Sequence, residues 1–166
     1  MGESEEEQHV SNYDKFELQN PERAEAIAAV EQQIEEWGLA MPKITPIPLD
    51  FGLKRFYEIG ETEFWIANET ELGYCGKFLF VFDHQTCPKH YHKIKHETFF
   101  VMKGSIYMAV DDSEHIMWAG DTLAMPPGKA HSFTGIGPAL ILEVSMPSIM
   151  RDNFFEDHAI GDDGVI

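Results

Sequence analysis

Two histidines one residue apart, His90 and His92, with Glu97 following after four intervening residues, constrain this chain more than any other feature. On an extended strand side chains repeat every two residues, so the two imidazoles share a face. A carboxylate brought in from the next strand then completes most of a metal site. Further along, Gly120-Asp-Thr-Leu-Ala-Met-Pro126-Pro-Gly128-Lys-Ala-His131 offers a third imidazole from a neighbouring strand. Three His and one Glu can hold a divalent first-row metal and leave coordination positions for a ligand.

The chain around these residues has the texture of short strands. From Phe51 onward, β-type runs are predicted at 53–59, 63–67, 76–82, 89–92, 98–101, 105–110, 115–118, 122–125, 131–134 and 139–145. Gly104, Asp111-Asp112, Gly120, Pro126-Pro127-Gly128 and Gly135 to Pro138 punctuate them. Many short strands at this spacing predict an all-β sandwich or barrel. Ahead of them Asn20-Pro21-Glu22 opens a helix, with Asn20 suited to cap it. Ile27, Val30, Ile34 and Trp37 form one apolar stripe, and Gly38 ends it. That stripe must bury against the barrel or against a partner subunit. Pro42, Pro46 and Pro48 make the next stretch an extended connector. The chain divides at 1–48 (acidic tail, helix, connector) and 49–166 (β domain).

At 166 residues one domain with a real core is expected. A formal charge of −17 argues against nucleic acid or an anionic membrane as partner. Residues 1–12 read as a mobile acidic tail without the apolar core of a signal peptide, which predicts a cytoplasmic protein whose Cys75 and Cys87 stay reduced.

The spacing His90-x-His92-x4-Glu97-x6-Gly104, then Gly120-x5-Pro126-x-Gly128-x2-His131, resembles the two signature motifs of the cupin superfamily. Two positions depart from it: His84 where the first motif usually opens with Gly, and Gly135 where the second usually ends in Asn. The resemblance implies a double-stranded β-helix (jelly roll) with an N-terminal helix, holding a metal on His90, His92, Glu97 and His131. A narrower likeness is to cupin sugar isomerases of the D-lyxose ketol-isomerase type. It rests on 86–92, on Lys95-His96-Glu97-Thr98-Phe99, on 126–133, on Glu143-Val144-Ser145 and on Asp152-Asn153-Phe154-Phe155.

Such an isomerase moves a proton between C1 and C2 through an enediol, which needs a base at carbon and a proton donor near the oxygens. Glu143 fits the base, because it interrupts the apolar strand 139–146 and is costly there unless it faces a cavity or a partner. A strand-end salt bridge is the alternative. Lys95 stabilises an oxyanion or relays a proton, or else is a solvated loop lysine beside Lys93 and Lys89. His96 turns away from the ligands by alternation, while Phe99, Val101, Tyr107 and Phe133 belong to the lining or core. His115 and His158 are surface residues. The expected function is a metal-dependent aldose–ketose isomerase for an unphosphorylated sugar, lyxose and xylulose by the family likeness. Mn²⁺ is the first choice of metal, with Zn²⁺, Co²⁺, Ni²⁺ or Fe²⁺ able to use the same ligands. The partners expected are the sugar and a second copy of the chain in a homodimer. The rivals are a sugar-phosphate isomerase clamping phosphate with Lys89, Lys93 or Arg151, an Fe²⁺ dioxygenase, and a non-catalytic sugar-binding cupin.

Overall fold

The computed structural model describes residues 14–166, so the acidic segment 1–12 lies outside the described residues. Among the described residues one helix, α1 (Glu22–Glu36), precedes nine strands. These are β1 (Ile47–Leu49), β2 (Glu61–Glu69), β3 (Tyr74–Val81), β4 (Thr86–Tyr91), β5 (Glu97–Val110), β6 (Ser113–Trp118), β7 (Thr122–Met125), β8 (His131–Ser145) and β9 (Phe154–Phe155). No helix among the described residues is long and apolar enough to cross a membrane.

Two long strands organise the rest. β5 and β8 pair antiparallel along nearly their whole length, from Glu97 opposite Ser145 to Val110 opposite His131. The C-terminal half of β8 continues through β3 and β2 to β1, while its N-terminal half continues through β4 to β9. On the other side β5 carries β7 on its first half and β6 on its second. The two halves of the long pair therefore belong to two facing layers, which is the double-stranded β-helix. The strands expected at 98–101 and 105–110 are one strand, as are those at 131–134 and 139–145. Their intervening turn residues bend the pair instead of ending it.

At the bend in β5 the register shifts between Val101, Lys103 and Ser105. The extra residue inverts which alternate positions face the core. Phe99 and Val101 point inward before it, and Ile106 and Met108 after it. Tyr107, expected in the lining, is turned out to solvent instead, with its hydroxyl on Glu114. The interior is filled by Leu79, Val81, Phe99, Val101, Ile106, Met108, Met117, Met125, Phe133 and Ile141. Each such large side chain contributes about 1.5–3 kcal/mol by leaving water.

The helix stripe packs on its own barrel: Val30 and Ile34 meet Phe64, Phe80 and Leu140 on the outer face of β2, β3 and β8. That cover is why Leu79, Phe80 and Val81 are buried in succession. Asn20 does not cap the helix; Pro21 occupies the cap position and no side chain bonds there. Gly38 closes the other end, its N–H reaching Glu35 O and the next N–H reaching Ile34 O. The strand expected at 53–59 is a run of turns, because Asp50 accepts the Gly52 N–H and Arg55 O accepts those of Glu58 and Ile59. Cys75 and Cys87 are both free and buried.

The two departures from the motifs meet in space. His84 adopts a left-handed φ of 61° and donates its N–H to Gly135 O. A Cβ on Gly135 would stand 2.2 Å from Phe82 O, so the close approach of these backbones requires glycine there. Gly104 is obligatory for the same reason, with φ 74° and a would-be Cβ only 2.3 Å from Pro138 O. Gly104→Ala should therefore lower stability by at least about 1–3 kcal/mol, read as a fall in the chemical-denaturation midpoint. A midpoint unchanged from wild type would show that the bend does not depend on glycine.

Candidate metal and active site

β4 delivers His90, the residue after the strand's end delivers His92, β5 opens with Glu97, and β8 opens with His131. The ligand-capable nitrogens of the three histidines all lie within 4.8 Å of one another, so these residues could hold a metal ion. Each ring has its other nitrogen tied to a backbone carbonyl. His90 Nδ1 reaches Pro88 O at 2.8 Å, His92 Nδ1 reaches Asp152 O at 2.8 Å, and His131 Nδ1 reaches Lys129 O at 3.0 Å. A carbonyl only accepts, so each Nδ1 carries the proton and each Nε2 presents a lone pair inward.

Glu97 stands against these lone pairs. Its Oε1 is 3.3 Å from His92 Nε2 and its Oε2 is 3.2 Å from His131 Nε2. His92 Nε2, His131 Nε2 and Glu97 Oε2 are all buried and have no hydrogen-bond partner. Acceptors converging on acceptors repel unless a cation sits among them, so the donor set fits a divalent metal. Burial pushes the Glu97 carboxyl upward, but the Lys95 ammonium beside it outweighs burial and holds the group well below the usual carboxylate range. Burial, with His131 and His92 close by, lowers the His90 imidazole well below its ordinary value, which keeps it neutral. His96 is exposed, as alternation requires.

Lys95 is not a solvated lysine. It is 4 % exposed, and its Nζ lies 2.7 Å from Glu97 Oε1 and 3.1 Å from Glu143 Oε1. It also donates to Ser148 Oγ at 3.4 Å. Burial alone would lower its pKa, but Glu143 and Glu97 raise it above the ordinary value, so it stays charged. Glu143 sits near the C-terminal end of β8 and lines the same cavity. Its Oε1 accepts from Ser145 Oγ at 2.8 Å, and its Oε2 lies 3.7 Å from Lys77 Nζ. The residue is thus ion-paired near a strand end, the alternative weighed from the sequence, and it also lines the cavity that a base would have to face.

Sequence reasoning missed the wall that continues beyond Glu143. Lys77, directly across from Glu143 on β3, donates to Glu63 Oε1 at 2.6 Å, and Trp65 Nε1 donates to Glu63 Oε2 at 2.8 Å. The signal was present, since Lys77 is a lysine within an apolar strand and Glu61, Glu63 and Trp65 alternate on β2. The cavity is also lined by apolar side chains, among them Phe16, Leu49, Phe51, Phe99, Phe133 and Phe155. The expected phosphate clamp lies outside the cavity lining. Lys89 bonds Asp111 O at 2.9 Å, Lys93 covers the Phe154 ring at 4.2 Å, and Arg151 pairs with Asp162 at 3.2 Å.

Asp152 entered the sequence reading only as part of the isomerase likeness; its role was missed, and nothing in the sequence pairs it with residues some 60 positions earlier. Its carboxylate accepts the consecutive backbone N–H groups of Lys93, Ile94 and Lys95 at 2.9, 3.1 and 3.0 Å. With its carbonyl on His92, it fixes both the histidine and the turn that aims Lys95.

Residues 78–145 match the cupin domain family model. With the double-stranded β-helix above, this match identifies residues 78–145 as a cupin domain. The chain is also similar to a D-lyxose ketol-isomerase of Cohnella laeviribosi, 30% identical over 108 residues. That match takes in 49% of this chain and 59% of the relative, less than two thirds of its length. Among solved structures, L-ribose isomerase of Cellulomonas parahominis superposes over 90% of this chain and 97% of its own, with TM-score 0.70 and 16% identity. An Acinetobacter sp. DL28 L-ribose isomerase variant in complex with L-ribose superposes over 90% and 95%, with TM-score 0.69 and 15% identity. These two likenesses establish the fold.

His90→Ala and His131→Ala should each lose a bound divalent metal, about one per chain in the wild type, by elemental analysis. His115→Ala and His158→Ala should retain it. Asp152→Ala should weaken metal binding about 10–100-fold, and Asp152→Asn less, in a chelator competition. Wild-type affinity in Asp152→Ala would remove that residue from the site's support.

Proposed function

We propose that the protein is a metal-dependent aldose–ketose isomerase acting on an unphosphorylated sugar, with D-lyxose and D-xylulose as the first pair to test. The observation that carries this is Glu143, a carboxylate facing the same cavity as the convergent His and Glu lone pairs and joined to them through Lys95. His90, His92, Glu97 and His131 are the proposed ligands and Mn²⁺ the proposed metal, in a cytoplasmic enzyme. When bound there, a divalent cation supplies a Lewis acid that steadies negative charge on the substrate oxygens.

The chain's own groups account for the proton movements. Glu143 takes the proton from C2 of the aldose, and the electron pair left behind forms the C1–C2 double bond of the enediol as the carbonyl oxygen gains charge. Lys95, turning the N–H of its longest contact away from Ser148 Oγ, donates to that oxygen and so limits the charge that accumulates. Glu143 then returns the proton to C1, while the proton of the O2 hydroxyl passes to O1, giving the ketose. Lys77 and Ser145 hold the Glu143 carboxylate in place through both transfers. The apolar lining keeps bulk water from the exchanging proton. Both cavity lysines, Lys77 and Lys95, are already shared between carboxylates, which favours a neutral sugar over a phosphorylated one.

A homodimer is also proposed. The helix stripe packs on its own barrel, so the proposed routes are the N-terminal arm ahead of it or the outer sheet, where Ile66, Tyr74 and Val144 are exposed around Gly76. Light scattering at micromolar concentration should give twice the chain mass; a monomer would contradict it.

Glu143→Gln keeps size but removes the basic oxygen, so turnover of metal-loaded enzyme should fall by roughly 10²–10⁴. Exchange of the substrate C2 proton with deuterated solvent should slow in parallel, and metal content should not change. Thermal stability should drop, because two buried ammonium groups lose a counter-charge. Wild-type turnover on D-lyxose and the other free pentoses would exclude Glu143 as the base.

A further inference from the structure

One polar group in the cavity has no task in this mechanism. Glu61 opens β2, with Glu63 and Trp65 following on the same face, and all three line the cavity that holds His90, Glu97 and Glu143. Glu63 is committed: one oxygen takes Lys77 at 2.6 Å and the other takes Trp65 at 2.8 Å. Glu61 is not. It is 5 % exposed, and its Oε2 is buried with no hydrogen-bond partner. A buried carboxyl oxygen that no protein group satisfies is costly until something else bonds it, so the atom is open to a group that enters the cavity.

The surroundings say what can enter. Glu63 and Lys77 adjoin Glu61, with Glu143 further off, and the Cys87 thiol lies beside it. Both lysines of the cavity are already shared between carboxylates, so an anionic group arriving here would meet acidic residues with no uncommitted cation. A hydroxyl, which donates and accepts at once, fits. Burial, and then Glu63, push the Glu61 carboxyl up to about 8, so near neutral pH it keeps its proton and can itself donate as well as accept.

We propose that Glu61 binds a hydroxyl of the sugar on a carbon away from the C1–C2 pair, and that it is a specificity-determining residue which reads the chain's far end and confines the pocket to uncharged polyol ends. The mechanism leaves this group free because C1 and C2 are handled by Glu143 and Lys95. Trp65 and Lys77, by holding Glu63, keep the neighbouring carboxylate from occupying Glu61's place. This inference rests on the isomerase reading for its turnover measurement only, since hydroxyl binding is measurable without chemistry.

The test compares wild type with Glu61→Met, similar in length but unable to hydrogen-bond, and Glu61→Gln, which keeps a donor and an acceptor. The probes are D-lyxose and its 3-, 4- and 5-deoxy analogues, with Mn²⁺-loaded protein. Wild type should lose about 10-fold or more in kcat/KM on one of the deoxy sugars. Glu61→Met should lose a similar factor on D-lyxose itself and no longer distinguish that deoxy sugar, whereas Glu61→Gln should still distinguish it. Unchanged discrimination by Glu61→Met overturns the proposal. If wild type turns over none of the pentoses, the isomerase reading fails, and Glu61 is judged by calorimetric binding of the same four sugars. Weaker D-lyxose binding by Glu61→Met than by wild type, with the gap closing on one deoxy sugar, supports it there; equal binding, or none by either protein, overturns it. Should Glu61→Met not fold, Glu61→Ala carries the same comparison, with melting temperature and metal content as the check on its fold.

Discussion

Three imidazole nitrogens and a carboxylate oxygen are brought together inside the barrel with their lone pairs facing one another, and the rest of the structure is arranged to hold them there. Each imidazole is pinned by a carbonyl at its outer nitrogen, so the rings cannot rotate to relieve the repulsion. Glu97 is kept ionised by Lys95 despite being buried. Such a cluster calls for compensating charge, which a divalent cation held where the four groups meet would supply.

The charge extends well past the proposed ligands. Glu97, Lys95, Glu143, Lys77 and Glu63 form a continuous line of alternating sign, each contact between 2.6 and 3.7 Å. Alternation lets a barrel interior tolerate so many ionised groups, because no member lacks a counter-charge. The cavity is thus lined by two unlike kinds of surface, these charged groups and aromatic and aliphatic side chains. A sugar has the same two aspects, hydroxyls around its edge and C–H groups across its faces. Among the carboxylates lining the cavity, Glu61 stands outside this alternation, and there the wall has capacity left for a ligand.

Backbone irregularities decide which side chains reach that wall. The bulge in β5 changes the inward parity after Gly104, so Glu97 and Phe99 serve the site on one side while Ile106 and Met108 fill the core on the other. Without it the second half of the strand would present Tyr107 to the interior. At the opposite end Asp152 gathers three successive N–H groups, a concentration of donors that only an acidic acceptor satisfies. The turn between His92 and Glu97 is thereby held in the one shape that sends Lys95 inward and His96 outward.

How much of this was legible follows from the range of each interaction. Alternation is local, so His90 and His92 sharing a face, the strand texture and the helix stripe could be read from neighbours in the chain. The motif spacing then tied His131 to them through a family likeness. Glu143 was visible because a carboxylate in an apolar strand demands a partner, and the same argument applied to Lys77 would have found it. What the sequence could not state was that Lys77 and Glu143 are directly opposed, since register is set by pairing between strands some 66 residues apart. Asp152 and the parity change at Gly104 are of the same kind, matters of where one segment lands on another. The residues determined which groups could meet; the closing of β5 against β8 decided which of them do, because only packed strands fix a side chain's direction against a partner distant in the chain.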